Sequence, residues 1–511
     1  MYRESRFRKQ TAVMVSLVTV TAVLAAGCAG QGVKGTQEGS NSDSAVKAPV
    51  VPQKVKMMIP YWNPEPPKQD TEPMNKIQEY TKSKLEILWT PAVAYKDKFN
   101  AGIAGQDLPQ VVYVLADANK DAGFVNAVRS SMFWEIGPYL KDYPNLSKLS
   151  PQMLKESSVD GKVYGIYKDF PQARDGIIIR KDWLDNLGLK EPKTLDELLA
   201  VMKAFVQKDP DKNGKNDTFG FGVNSDVTGF GSFVTFLGGP NSWEYKDNQI
   251  VPSFMTKPYM DTLKLYKQLY DENIINRDFA VMKSPSELLN KGKAGIYMGP
   301  LDDVESRFSD LYKGFPNAQL DVISSVEGPS GMRVNTRGIF PPQFTFPKIN
   351  IKTEAELKDV LAFMDKMADK DMQNLFTWGL ENTHYKMENN KPVRTDSVKY
   401  TTDIAALDFL RYDDGSQAMK GSLPPVVEKY KRLQAEAMKI AIPNPVQALI
   451  SPTFTDKGSE LTKVINDART KFIMGEINEA GWDAAVALWK KNGGEKVIKE
   501  YTEQYEKLNK K

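Results

Sequence analysis

Between residues 53 and 114, short apolar runs alternate with amphipathic stretches, and no other feature of the chain limits its fold so strongly. Residues 53–60, with Val55-Lys56-Met57-Met58-Ile59 at their centre, read as a first strand. Leu85–Trp89 and Val111–Val114 read as the second and third, since they have the length and the large or branched side chains of strands. Asp70–Lys84 and Tyr95–Ile103 read as the helices between them. Asp70 or Thr71 can cap the first helix, and Pro73 suits its first turn. Strand, helix, strand, helix, strand predicts a parallel α/β layer.

The rest of the chain extends that pattern. Gly161–Ile166 reads as a strand-like turn, Gly176–Arg180 as a buried strand, and Lys181–Leu187 as a short helix stopped by Gly188. Thr194-Leu195-Asp196-Glu197 is a capping box, and Leu198, Leu199, Met202 and Phe205 form the apolar face behind it. The last 160 or so residues read as mostly helical, as in 353–371, 424–438 and 456–474. With 511 residues the chain exceeds one ordinary domain, and about 150 residues per domain predicts two or three lobes.

One cysteine and one histidine exclude an intrachain disulfide and a His/Cys zinc site. Removing residues 1–27 leaves 64 basic and 64 acidic side chains, so no global charge points to nucleic acid. The chain has no Walker loop, dinucleotide glycine fingerprint, nucleophile elbow or His-Glu-x-x-His motif.

Residues 1–27 read as a signal peptide. Arg3, Arg6, Arg8 and Lys9 precede an apolar stretch, 12–26, that is too short to span a membrane stably. The leader ends Leu24-Ala25-Ala26-Gly27 before Cys28, which resembles the lipobox of bacterial lipoproteins, with Ala25 where leucine is usual. That resemblance implies cleavage before Cys28, a diacylglyceryl group on its sulfur, and an anchor on the outer face of a cell membrane, as in Gram-positive bacteria. Residues 28–52 are rich in Gly, Ser, Gln, Asp and Lys and read as a flexible tether.

Several segments together resemble the extracellular solute-binding lipoproteins of sugar ABC transporters, and within them the long oligosaccharide and alginate binders. They are Gly105-Gln106-Asp107-Leu108-Pro109, Asp160–Ile166, Arg180–Leu184 with Leu187-Gly188-Leu189, and Pro192-Lys193-Thr194. Further on come the Asp-rich loop 209–217, Lys293–Pro300, Glu327-Gly328-Pro329, Trp378–Glu381, Phe472–Gly475 and Trp482. The resemblance spans about residues 53–500. It implies a two-lobe α/β periplasmic-binding-protein fold of type II, with a ligand cleft between lobes that close by a hinge and a helix-rich C-terminal part. It places crossings near 168–178, 293–300 and 340–346. The N-terminal lobe is then expected at 53–170 and 297–342, and the C-terminal lobe at 171–296 and 343–511.

Asp209-Pro210-Asp211-Lys212-Asn213-Gly214-Lys215-Asn216-Asp217 spaces its oxygens as a hard Ca²⁺ requires. Asp209, Asp211, Asn213 and Asp217 offer side chains, Lys215 its carbonyl, and Gly214 the sharp turn. Gly220 stands where an EF-hand has its bidentate Glu, so another group must complete the shell. The resembling family carries a structural calcium loop here.

Sugar sites combine flat aromatic faces with groups that bridge hydroxyls. Trp62 follows the first strand at its C-terminal end, where α/β sheets place ligands. Trp243 lies in a Gly/Pro/Asn-rich loop that suggests exposure, and Trp378 resembles a family position near the cleft. Glu381 and His384 share a polar turn, Asp302 follows Gly299-Pro300, and Arg337 adjoins a crossing. All seven are candidate ligand contacts, although a lone histidine is more often a structural hydrogen-bonder. Trp183, Trp482 and Trp489 lie on amphipathic stretches and read as core.

The expected function is therefore capture of a carbohydrate by a monomeric, non-enzymatic lipoprotein and its delivery to an ABC transporter permease. A peptide, a metal complex or another small solute on the same fold is the alternative cargo. A surface glycosidase needs only two carboxylates, but no motif supports one.

Overall fold

The computed structural model describes residues 54–63, 65–116, 122–337 and 340–509. The leader, Cys28 and the tether lie outside the described residues.

Lys54–Tyr61 forms β1, in which Val55, Met57, Met58 and Ile59 are all buried because helices cover the sheet. β1 pairs in parallel with β2 (Lys84–Pro91) and with β3 (Val111–Val114). The connecting helices are Glu72–Thr81 and Ala92–Gly105. Of the two candidate caps, Thr71 is the one used: its hydroxyl accepts the Met74 N–H at 3.4 Å. The expected parallel layer is therefore present. β4 (Gly165–Tyr167) follows.

A second sheet is built from β5 (Asp175–Arg180), β6 (Phe219–Phe221), β7 (Ala294–Pro300) and β8 (Leu320–Ile323). Its order is β8-β5-β7-β6, and only the β6–β7 pair is parallel. The helix Leu195–Gln207 covers it, with both halves of the Thr194/Glu197 capping box formed. The chain then returns as β9 (Gln343–Thr345), which sits between β3 and β4, antiparallel to each. The first sheet thus reads β2-β1-β3-β9-β4.

Each sheet has its own core. Val111, Val112, Phe124 and Phe344 pack with Leu357, Leu361 and Phe363 of helix Glu354–Met367 and with Phe376 of helix Lys370–Trp378. Ile177, Phe205, Phe221 and Met298 pack with Leu461, Phe472, Trp482 and Trp489 from the C-terminal helices. A third cluster lies on Ile178, Tyr297 and Val322 and takes in Val427 and Tyr430 of helix Pro425–Ala437.

This pairing differs from the expected division of the chain. Residues 294–300 do not return to the first sheet, because β7 completes the second by bonding β5 and β6. The return is made by β9, and residues 343–412 add Phe344 through Tyr412 to the first core. The chain therefore crosses between lobes at 168–174, 324–342 and 413–424. Two crossings are tied together: Lys168 N–H donates to Pro342 O and Arg337 N–H to Gln172 O, each at 2.8 Å.

Candidate functional site

Trp62 leaves the C-terminal end of β1 and stacks on Phe409, with ring centroids 4.5 Å apart. The guanidinium of Arg307, from the second lobe, lies 5.8 Å from the indole. Beside it, Asn63 Nδ2 donates to Ser306 O at 3.2 Å. The short helix Asp303–Ser306 thus brings the second lobe against the first sheet's C-terminal edge.

Charged side chains around this helix are held in specific pairs. Asp303 accepts from Tyr297 Oη at 2.6 Å and pairs with Arg307 Nε at 2.6 Å. Burial pushes the Tyr297 phenol well above its usual pKa, so it stays a donor. Glu305 accepts from Arg394 of the first lobe and from the Tyr430 hydroxyl of the second. Arg394 also lies 3.6 Å over the Tyr400 ring and donates to Thr377 O at 2.7 Å. Lys168, at the first crossing, donates to the carbonyls of Asp408 and Arg411 at 2.9 and 3.0 Å and pairs with Asp408. Burial lowers its ammonium pKa, opposed by the Asp408 charge.

The expected contacts divide into two groups. Trp62, Asp302 and Arg337 come to the ground between the lobes. Asp302 accepts from Arg174 and from Gln434 Nε2 at 2.9 Å. Arg337 pairs with Asp175 at 2.7 Å, so it straps two crossings. Trp243, Trp378, Glu381 and His384 are not brought there by any bond or ring contact described. Trp243 is half-buried rather than exposed, because its ring packs on Trp489 and Tyr501 inside the second lobe. Trp378 is 2% exposed and donates its indole N–H to Met419 O at 3.0 Å. His384 is fully buried: Nδ1 accepts from Leu380 N–H at 2.9 Å, and Nε2 faces Asp403 at 3.4 Å. Glu381 is exposed on that turn. Trp183, Trp482 and Trp489 are core, as expected.

Phe409, Arg307, Glu305, Arg394 and Tyr430 had no signal in the sequence, since they converge from separate segments. The combination of a flat indole with donor and acceptor pairs suits a polyhydroxylated ligand.

In the Asp-rich loop, Asp209 accepts the N–H groups of Asn213 and Gly214 at 3.0 and 2.9 Å. Asn213 Nδ2 donates to Asp211 at 2.9 Å and to Asp217 at 3.2 Å. Lys293 pairs with the other oxygen of Asp217. Gly214 has φ +78°, the left-handed conformation that the turn needs. Among the described residues no group of three or more His, Cys, Asp and Glu is arranged to hold a metal, so any cation here must draw on the Asn213 and backbone oxygens as well.

A family model described as bacterial extracellular solute-binding protein matches residues 62–320. The chain belongs to that family. It is 40% identical to the polygalacturonan/rhamnogalacturonan-binding protein YtcQ of Bacillus subtilis, over 96% of this chain and 98% of that one. It is 38% identical to lipoprotein LipO of the same organism, over 95% of this chain and 97% of that one. Among solved structures, the alginate-binding protein AlgQ2 superposes with a TM-score of 0.66 at 19% identity, covering 90% of this chain and 98% of that one. The Streptococcus pneumoniae substrate-binding protein FusA in complex with kestose gives 0.63 at 19% identity, covering 89% and 99%. These likenesses establish the two-lobe substrate-binding fold. The family consists of binding proteins, and no described helix is long and apolar enough to cross a membrane.

Proposed function

We propose that this protein captures an oligosaccharide between its lobes, catalyses nothing, and delivers its cargo to the permease of an ABC transporter. The placement of Trp62 carries this reading. It offers a flat apolar face at the end of a central strand, within reach of the second lobe's Arg307, where lobe closure can enclose a sugar ring. The ligands named for two relatives are carbohydrates: polygalacturonan and rhamnogalacturonan for one, fructooligosaccharide for the other. Asp302 and Arg337 act as positioning residues at the crossings, while Trp243, Trp378 and His384 hold the lobes' interiors.

Cys28 carries the lipid anchor in this reading, on the extracellular face of the cell membrane. The loop 209–217 holds a structural Ca²⁺. One buried oxygen of Asp211 has no hydrogen-bond partner, which fits a site shaped for a cation. Burial and the neighbouring Asp209 raise the Asp211 carboxyl above its usual range, the strain that a divalent ion relieves. Turning over the Asn213 amide directs its oxygen at the same point as the carboxylates. Asp209, Asp211, Asn213, Asp217 and the Lys215 carbonyl would hold the ion, which supplies rigidity to one lobe and no chemistry. Two structural neighbours fit this: one alginate-binding structure is described as without calcium ion, and one FusA structure as an EF-hand mutant.

A thermal-shift screen of calcium-loaded protein against plant, algal and bacterial oligosaccharides tests the proposal. A saccharide at 100 times its Kd should stabilise the fold by about 2.7 kcal/mol. The scattering radius should fall as the lobes close. Binding of peptides alone, with silence across the saccharides, would refute the reading.

A further inference from the structure

We infer that the edge of the first sheet where β1 and β2 begin binds anionic phospholipid headgroups, and that this contact holds the first lobe on the membrane with its cleft turned away from the lipid. This rests on the lipid anchor proposed at Cys28 and adds a second, orienting attachment to it.

The strand starts gather positive charge. Lys54 and Lys56 open β1 and Lys84 opens β2, all three exposed. Lys82, just before β2, is exposed as well. The parallel register sets Lys54 opposite Lys84 and Lys56 opposite Glu86, on strands about 4.8 Å apart. Two ammonium groups placed so repel each other, and Glu86 relieves only Lys54, with which it pairs at 2.6 Å. Among the described residues, Lys56, Lys82 and Lys84 form no ion pair.

The same edge continues toward β9. Gln110 Oε1 accepts the Lys56 N–H at 3.0 Å, and Asn350 Nδ2 donates to Leu108 O at 2.6 Å. The start of β1, the start of β3 and the segment after β9 therefore lie side by side. There a recess of about 250 Å³ is lined by Ser130, Ser131, Lys348 and Lys352 together with Leu108 and Phe133. Hydroxyls and ammonium groups beside apolar side chains match a phospholipid headgroup, anionic at its phosphate and apolar at its glycerol esters. The carboxylates along this edge are Glu86, Asp107 and Glu356, and Glu356 already accepts the Lys352 N–H at 2.7 Å. Six lysines thus face three carboxylates, although beyond residue 27 the chain as a whole is neutral.

Position names the partner. Lys54 is the first described residue after the segment that contains Cys28, so an anchored chain enters its body within this patch. A lipid anchor limits distance from the bilayer without fixing orientation. Each lysine beside an anionic surface adds about fivefold to the population of the docked stance. Trp62 stands at the far end of β1, about 26 Å from Lys54 at about 3.3 Å per residue. A first lobe resting on the edge at Lys54 therefore presents the cleft outward, toward arriving solutes.

The experiment uses the mature lipidated protein, in which Cys28 is blocked by its lipid, so that a fluorescent donor attaches only to an introduced cysteine. One preparation carries Glu79→Cys, exposed beside Lys82, and another Glu65→Cys, exposed beyond Trp62. Both are reconstituted into phosphatidylcholine vesicles with and without phosphatidylglycerol, and energy transfer to an acceptor in the headgroup layer is read. Phosphatidylglycerol should raise transfer from position 79 above that from position 65. Added salt should abolish the difference. The variant Lys56→Gln/Lys82→Gln/Lys84→Gln, with an unaltered melting transition, should return transfer to its phosphatidylcholine level. Equal transfer from both positions, closer approach of position 65, or an unchanged triple variant would overturn the proposal and leave the anchor intact. So would binding of soluble polyglycerol phosphate with no response to the vesicles, which would assign the patch to a wall polymer. Mass spectrometry showing Cys28 without lipid in membrane-extracted protein would overturn the anchor and this inference together.

Discussion

The proposed calcium in loop 209–217 is tested most directly by chelation. Three carboxylates, Asp209, Asp211 and Asp217, share the loop with the Asn213 amide, and one Asp211 oxygen is buried without a partner. A site of this kind outside the cell binds with a Kd on the order of 10⁻⁴ to 10⁻³ M. At about 100 times Kd, the ion stabilises the folded state by roughly 2.7 kcal/mol. Each kcal/mol moves the midpoint of a body of 150–250 residues by about 2–4 °C, so the lobe's transition should fall by roughly 5–10 °C on chelation. The assay is scanning calorimetry with excess EGTA against excess Ca²⁺, read as separate transitions if the lobes melt independently. Asp211→Asn should melt at the same temperature in both conditions. Lys293→Met, which frees an oxygen of Asp217, should enlarge the calcium response. Equal midpoints with and without chelator, together with no metal by elemental analysis, would refute the reasoning.

Trp62→Ala should weaken saccharide binding by about tenfold, the worth of an aromatic stacking partner, with only a small effect on melting because the ring is half-exposed; calorimetry showing an unaltered Kd would count against it. Glu305→Ala leaves the Arg394 guanidinium buried and unpaired, which costs about 3–5 kcal/mol, and it removes a contact between lobes. Its melting midpoint should drop and the unliganded scattering radius should rise. Burial holds His384 below its usual pKa, so its folded form resists protonation. That contribution is complete above about pH 6.5 and is lost as pH falls below it. Stability measured from pH 7 to 5 should decline, and His384→Gln should flatten the decline.

Local pattern made the first half of the first lobe readable. β1, β2, β3 and their helices follow from residue spacing within 54–114, and Thr71 and Thr194 cap their helices by chemistry that lies within three residues. What escaped the sequence depends on distance along the chain. Trp243 sits in a loop of Gly, Pro and Asn that suggests a surface, but its neighbours Trp489 and Tyr501 arrive from the C-terminal helices. Trp378 precedes a glycine with φ +79°, and that turn folds its ring inward onto Met419 O. β9 is three residues long, too short for any period to reveal that it joins the first sheet. The hold of Arg394 and the Tyr430 hydroxyl on Glu305 draws on three segments, none of which carries a recognisable motif.

The late arrival of β9 has a consequence for how the protein is made. β3 and β4 have no direct ladder to each other, and β9 fills the gap between them. Until residue 345 is available, both strands present bare edges, which are templates for pairing with other chains. Helices Glu354–Met367 and Lys370–Trp378, which complete that core, come later still. An emerging polypeptide therefore stays incompletely folded for most of its synthesis, since contacts so far apart in sequence close slowly. This delay leaves the half-made molecule dependent on protection from aggregation until its last segments arrive.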